Sequence, residues 1–324
     1  MPRITLPSAS GTLFDSSDPM TSGQARVYWL GMLAPSQATQ LAETLAGCET
    51  LLHVVAALAP PTAETYPSWV LDPAGELGRA FAAAGPLAIV VDAAGRVAAV
   101  LPMPTPDGVA ALALQLYKSS APTVVKAKAP VLLLERVMEP SQCQTLMEYW
   151  RHGDQVANRV GASTGNVVNE DIKRRIDVQV DDPGLFVEVR DCLVRRVVPA
   201  ILQAFHTRIN VIEAPIVGCY DADAGGKFHR HRDNTSSHNA HRQFALSLNL
   251  NADDEYDGGE VRFAEFGREL YRPAAGGALV FSTSLLHEVI PVTRGRRFGL
   301  FTFLSTSGPA VRQTPYTATP RPRR

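Results

Sequence analysis

His229, His231 and Asp233 stand in a short run, GGKFHRHRDNTSSH, from Gly225 to His238, which crowds three histidines, two arginines and an aspartate behind a glycine pair. Residue types alone allow a metal centre, a basic loop for nucleic acid, or ordinary surface polarity. Successive side chains of a β-strand point to opposite faces, so on a strand these three residues share one face. An H-x-D pair then delivers an imidazole and a carboxylate to one point. A second imidazole from another strand would complete a two-histidine, one-carboxylate triad, which holds Fe(II) and leaves coordination positions open. His287, at the start of an apolar strand-like run near the C-terminal end, is the candidate. Metal binding needs neutral imidazoles, so each ligand histidine should be held in one tautomer through its second ring nitrogen.

Iron held in an open triad needs a co-ligand that the protein also grips. A dicarboxylate such as 2-oxoglutarate would chelate the metal at one end and require a fixed cation at the other, for which arginine has the matching planar fork. HEVIPVTRGRRFGLFTF supplies Arg297, and alternation puts Arg297, Gly299, Phe301 and Phe303 on one face with Arg296 on the other. At most one of the two arginines can enter a barrel interior.

The segments CYDADAGGKFHRHRDN, DGGEVRF and HEVIPVTRGRRFGLFTF together resemble the prolyl-4-hydroxylase-like branch of the Fe(II)/2-oxoglutarate dioxygenases. That pattern runs Y, a glycine-rich turn, F-x-x-H-x-D, G-G, then H-x-x-x-P-V-x-x-G-x-R. The resemblance covers roughly Pro130 to Leu304. It implies His231, Asp233 and His287 as catalytic iron ligands, Arg297 as the cation for the distal carboxylate of 2-oxoglutarate, and Tyr220 as a hydroxyl reaching the same carboxylate. It also places Arg242 near a substrate-facing arginine, and favours a substrate-facing over a plain edge-strand reading of Arg175 and Asp177 in IKRRIDVQV. The implied activity is hydroxylation of a protein side chain of prolyl type or of a small molecule. It consumes O₂ and 2-oxoglutarate, releases succinate and CO₂, and is open to stimulation by ascorbate. The alternative is a non-catalytic sensor or adaptor that binds iron and 2-oxoglutarate and acts through its N-terminal domain. His229 is read as rim or solvated, because the H-x-H of cupins wants a glutamate where Asn234 to Ser237 stand. His238 and His241 are read as surface polarity, and His53, His152 and His206 as structural.

The elements that must position these residues fall into two groups. From Ile209 onward nearly every segment is strand-like, with Gly and Asp turns such as DDEYDGG and AAGG. Seven or eight short strands predict an antiparallel sandwich or barrel with two helices packed against one sheet, and the dioxygenase resemblance implies that it is a mainly β double-stranded β-helix, or jelly roll. One helix begins after Pro140. The other is capped by Asp182 with Pro183 at its first position and runs to about Phe205, with Pro199 as a kink point. The first third instead alternates: strands at ARVYWLGML and LLHVVAAL, a helix from Pro35 to Gly47 between them, a helical stretch from Gly75 to Ala84, a hairpin LAIVVD and VAAVLPM around AAGR, and a helix capped by Thr105. This order, with WVLDPAGELGRAFAAAGPLAIVVDAAGRVAAV, resembles the thioredoxin/peroxiredoxin fold, an α/β class. That family needs a cysteine at the start of its first helix, where the helix N-terminus lowers the thiol pKa. Leu33 to Ser36 contain none, and Cys48 lies at the helix's far end. The domain is therefore read as redox-inactive. The expected organisation is a thioredoxin-like domain over 1–117, a linker over 118–129, the dioxygenase domain over 130–306 and a tail over 307–324.

Composition narrows the partners. Lys and Arg total 31 against 32 Asp and Glu, so no global charge draws the chain to nucleic acid or an anionic membrane. The 4 cysteines form no C-x-x-C pair, and no run reaches the length of a membrane helix. A cytoplasmic, reducing location is the expectation. Homodimerisation is left open by the sequence.

Overall fold

The computed structural model describes residues 4–16, 23–58, 68–119, 124–125, 127–157, 159–162, 165–168 and 172–307. The chain divides into two compact units, Met1–Val124 and Val125–Arg324.

The N-terminal unit is built on a five-stranded sheet ordered Ser68–Leu71, Thr50–Ala56, Ala25–Leu30, Leu87–Val91, Val97–Pro102. Its first three strands run parallel and the last two antiparallel to their neighbours. Alternation splits the central strand cleanly. Val27 and Trp29 pack with Leu41, Leu45 and Val109 of the helices Pro35–Ala46 and Pro106–Ser119. Tyr28 and Leu30 pack on the other face with Leu6 from the short hairpin Thr5–Pro7/Leu13–Asp15. The helical stretch read from Gly75 to Ala84 is only Glu76–Ala80, because Ala82 turns to positive φ and the chain folds back on itself through Ala83 N–H to Gly78 O. Asp72 caps this turn, accepting from the backbone of Glu76 and Leu77 at 2.8 and 2.9 Å. The helix after Thr105 runs over Pro106–Ser119, past the domain boundary read at residue 117, so the segment read as linker begins inside it. Residues 120–123 and 126 of that segment, and 308–324 of the segment read as a tail, lie outside the described residues.

The C-terminal unit is mainly β. Its larger sheet is ordered Val131–Leu134, Ala278–Ser282, Phe244–Asn249, Val292–Ser305, Ile216–Asp221, Ile176–Gln179, Val156–Ala157. The smaller sheet is ordered Lys173–Arg174, Lys227–His231, His287–Val289, Val261–Arg262, Leu270–Tyr271. Helices Pro140–His152 and Pro183–Phe205 cover the outer face of the larger sheet through Leu146, Leu193, Val197, Val217, Leu248 and Leu300. The second helix is continuous through Pro199. The inner face carries Tyr220, Ala245, Leu279 and Phe281, which pack with Val261 and Val289 of the smaller sheet and with Phe263 just beyond it. IKRRIDVQV, read as one strand, belongs to both sheets: Lys173–Arg174 pairs with Lys227–Phe228, and Ile176–Gln179 pairs with Ile216–Cys219. Arg175 is the corner between them. Among the described residues no helix is long and apolar enough to cross a membrane.

Candidate metal centre and co-substrate pocket

His231, Asp233 and His287 converge, with one ligand atom of each lying within 4.8 Å of the others. His231 and His287 face each other across the antiparallel pair Lys227–His231/His287–Val289. Asp233 is placed differently from the sequence reading. Its strand ends at His231, and Asp233 sits just beyond, fixed by its N–H to Thr283 O at 3.0 Å. The register also shifts between Phe228 and His231. This bulge removes the simple alternation that put His229, His231 and Asp233 on one face: Phe228 and His231 both line the cavity and stack at 3.7 Å, whereas His229 is exposed.

The imidazoles are held in one orientation. His231 Nδ1 lies 2.7 Å from His229 O, and His287 Nδ1 lies 3.0 Å from Leu285 O. A proton on each Nδ1 satisfies these carbonyls and leaves the Nε2 lone pairs facing Asp233, at 3.3 Å from His231 to Oδ1 and 3.5 Å from His287 to Oδ2. Burial pushes the His287 pKa below that of an ordinary imidazole, which favours the neutral, ligating form. Burial opposes the charged form of Asp233, but when their Nε2 atoms are protonated His287 and His231 outweigh it and hold the carboxyl below its usual range; with the imidazoles neutral, a metal cation would take the place of those protons. One anionic oxygen donor and two neutral nitrogens suit a divalent first-row metal such as Fe(II).

The triad opens on a cavity of about 490 Å³ between the two sheets. Two buried donors near its wall lack acceptors. Tyr220, fully buried, lines the cavity and pairs in register with Arg297. Arg297 is itself buried; Nε donates to Asn249 Oδ1 at 3.1 Å, and Nη2 to Ser247 Oγ and Asn249 Oδ1, both at 2.9 Å. Its Nη1 has no hydrogen-bond partner, and the neighbouring Tyr256 hydroxyl accepts from Asn249 instead. Burial depresses the Arg297 pKa, and no carboxylate pairs with it among the described residues. An uncompensated buried guanidinium beside a buried phenol fits an anionic ligand group such as the far carboxylate of 2-oxoglutarate. Arg296, on the opposite face, is an exposed partner of Asp221 at 2.6 Å.

The glycine pair of DGGEVRF is explained by this arrangement. A Cβ on Gly258 would fall 2.1 Å from Pro291 O, and one on Gly259 2.8 Å from Arg297 Cδ. The first glycine admits a strand close to the Arg297 strand, and the second leaves room for the Arg297 side chain.

Arg175 and Asp177 are buried in the cavity wall as an ion pair, Nε to Oδ1 at 2.5 Å and Nη2 to Oδ2 at 3.0 Å. Lys173 joins them with Nζ 2.7 Å from Asp177 Oδ2. Burial opposes the Asp177 charge, but Arg175 and Lys173 outweigh it and lower its pKa. Burial and the Arg175 charge bring Lys173 down to about 8. Arg242 lines the cavity with its guanidinium 3.7 Å over the Phe303 ring, and its fork is engaged by Glu213 at 2.8 and 2.7 Å. His241 also reaches Glu213, at 3.0 Å. His238 is exposed. Glu213 and Lys173 are cavity residues that the sequence reading passed over, and Glu213 carries no motif that could have found it. Ser247 and Asn249 did leave a signal: two polar residues on one face of the otherwise apolar FALSLNL strand.

Residues 216–305 match the family model of the 2OG-Fe(II) oxygenase superfamily. A PKHD-type hydroxylase from Stutzerimonas stutzeri (strain A1501) is 27% identical over 168 residues, 47% of this chain and 70% of that protein. One from Synechococcus sp. (strain JA-2-3B'a(2-13)) is 30% identical over 104 residues, 31% of this chain and 46% of that protein. The chain thus spans less than half of the second relative. Among solved structures, a Pseudomonas putida prolyl-4-hydroxylase overlays with a TM-score of 0.43 at 19% identity, covering 56% of this chain and 95% of that one. The His-Asp-His cluster falls inside the segment that matches the 2OG-Fe(II) oxygenase superfamily model.

Proposed function

We propose that the C-terminal unit is an Fe(II)- and 2-oxoglutarate-dependent hydroxylase in which His231, Asp233 and His287 hold the metal. The observation that carries this reading is the convergence of the three side chains, with both Nδ1 atoms tied to backbone carbonyls and both Nε2 atoms turned to one carboxylate. Bound Fe(II), with 2-oxoglutarate and O₂, supplies oxidative hydroxylation with succinate and CO₂ as co-products. The chain binds and orients. Arg297 Nη1 and the Tyr220 hydroxyl would hold the distal carboxylate of 2-oxoglutarate, while Phe228, Phe263 and Phe281 pack around the two imidazoles.

The substrate is a protein side chain of prolyl type or a small molecule, with Arg242, Arg175 and Asp177 in the wall that faces it. The PKHD-type hydroxylases among the relatives support the hydroxylase class. The N-terminal unit is read as a thioredoxin-like module without redox chemistry that binds or positions a partner. Three parallel and two antiparallel strands under two helices support it, as does the absence of cysteine from Leu33 to Ser36. Cys48 is buried.

Anaerobic addition of Fe(II) and 2-oxoglutarate should give a visible charge-transfer band, and air should then yield succinate. His231→Ala should abolish both. Absence of the band in the unaltered protein refutes the cofactor assignment.

A further inference from the structure

We infer that Arg175 is a positioning residue for the co-substrate, acting through Tyr220. A phenol carries one hydrogen to donate and lone pairs to accept with. Arg175 Nη1 lies 3.3 Å from Tyr220 Oη and can only donate to it, because a guanidinium has no acceptor. The phenol's own hydrogen is therefore turned away from Arg175. Tyr220 is fully buried and lines the cavity, and among the described residues no side chain or carbonyl accepts that hydrogen. Tyr220 is the cross-strand neighbour of Arg297, so its hydrogen and Arg297 Nη1 could both serve one carboxylate of a bound 2-oxoglutarate. A phenol polarised by a neighbouring cation is also the stronger donor.

The wall is built to hold Arg175 in this pose. Asp177 takes its Nε and Nη2, and the Phe301 ring lies 4.0 Å beneath its guanidinium carbon. Phe301 in turn meets Tyr220 edge-on, with ring centroids 6.1 Å apart. Gly218 supplies the space: a Cβ there would stand 2.7 Å from Asp177 Oδ1 and 2.8 Å from both Cδ and Nε of Arg175. The ion pair thus lies flat across a strand that any larger residue would lift it from.

The inference rests on the 2-oxoglutarate reading above, and one set of titrations separates the two. Metal-loaded protein is titrated by calorimetry, without O₂, with 2-oxoglutarate and with 2-oxopentanoate, which keeps the chelating end and lacks the distal carboxylate. Arg175→Lys keeps a cation for Asp177 and loses the fork that reaches Tyr220. It should weaken 2-oxoglutarate about tenfold, as Tyr220→Phe should, and the double variant should be no weaker than Tyr220→Phe alone. Gly218→Ala removes no polar group and should weaken 2-oxoglutarate in the same sense. None of the variants should change the affinity for 2-oxopentanoate. Additive losses in the double variant, or equal losses for the two keto acids, overturn the positioning role while leaving the cofactor reading intact. Failure of the unaltered protein to bind 2-oxoglutarate overturns both.

Discussion

Arg297→Met should move ligand-free stability and ligand affinity in different ways. In the ligand-free protein Arg297 is a buried charge with three hydrogen bonds to neutral groups and one unmatched nitrogen. Losing those bonds costs about 1 kcal/mol each, and relieving a buried, uncompensated cation returns a similar amount, so the ligand-free melting temperature should change by only about 2–4 °C. Binding is another matter. A charge-assisted hydrogen bond to a carboxylate contributes about 1.5–3 kcal/mol, which makes the variant about 10–150-fold weaker for 2-oxoglutarate. At a ligand concentration of about 100 Kd the unaltered protein gains about 2.7 kcal/mol, and a variant 100-fold weaker gains only about 0.4 kcal/mol. For a unit of this size that is a ligand-induced rise of about 5–10 °C falling to about 1–2 °C. Anaerobic scanning fluorimetry of metal-loaded protein, with and without 2-oxoglutarate, reads both quantities. A variant that keeps the full ligand-induced rise refutes the role of Arg297. One whose ligand-free melting temperature collapses refutes the claim that its charge is uncompensated.

Two further substitutions test other parts of the structure. Gly259→Ala places a methyl against the Arg297 side chain and strains a residue at φ 76, so 2-oxoglutarate affinity should fall about tenfold or more in the same titration, with near-normal affinity for 2-oxopentanoate. In the N-terminal unit His53 is buried between Phe14 and Tyr28 with neither ring nitrogen hydrogen-bonded, and burial lowers its pKa from 6.5 to about 4. Between those pH values the unfolded chain binds a proton that the folded one does not. Stability therefore rises with pH across that window, and acidification through it removes on the order of 3 kcal/mol. His53→Phe should flatten this dependence in urea unfolding at pH 4 and pH 7 followed by tryptophan fluorescence. An unchanged slope would mean that His53 is not the titrating group.

The strands of the C-terminal unit and the two helices that cover them were legible because alternation and caps are local properties: Asp182 caps its helix through Leu185 N–H at 2.7 Å, as its place before Pro183 suggests. The hairpin in the first third was equally plain. Departures arose where a local pattern met a non-local constraint. A bulge in the Lys227–His231 strand depends on its partner strand, so alternation alone groups His229 with the ligands, whereas its reading as rim or solvated agrees with its exposure. IKRRIDVQV reads as one strand because its pattern is continuous, and its division between two sheets is set by which neighbours it finds. Glu213 bears on the cavity only because the strands beside it bring it opposite His241 and Arg242.

The available chemistry is written in residue order: H-x-D, a distant histidine, a tyrosine, a glycine pair and an arginine, at spacings that carry a family resemblance. Those are properties of residue type and order alone. Folding adds that Arg297 is held by Ser247 and Asn249 with one nitrogen unmatched, that Gly259 makes room for it, and that Gly218 lets Arg175 lie against Tyr220. Hydrogen-bond saturation and close backbone approach are relations between strands far apart in the chain. Local order along the sequence does not encode them.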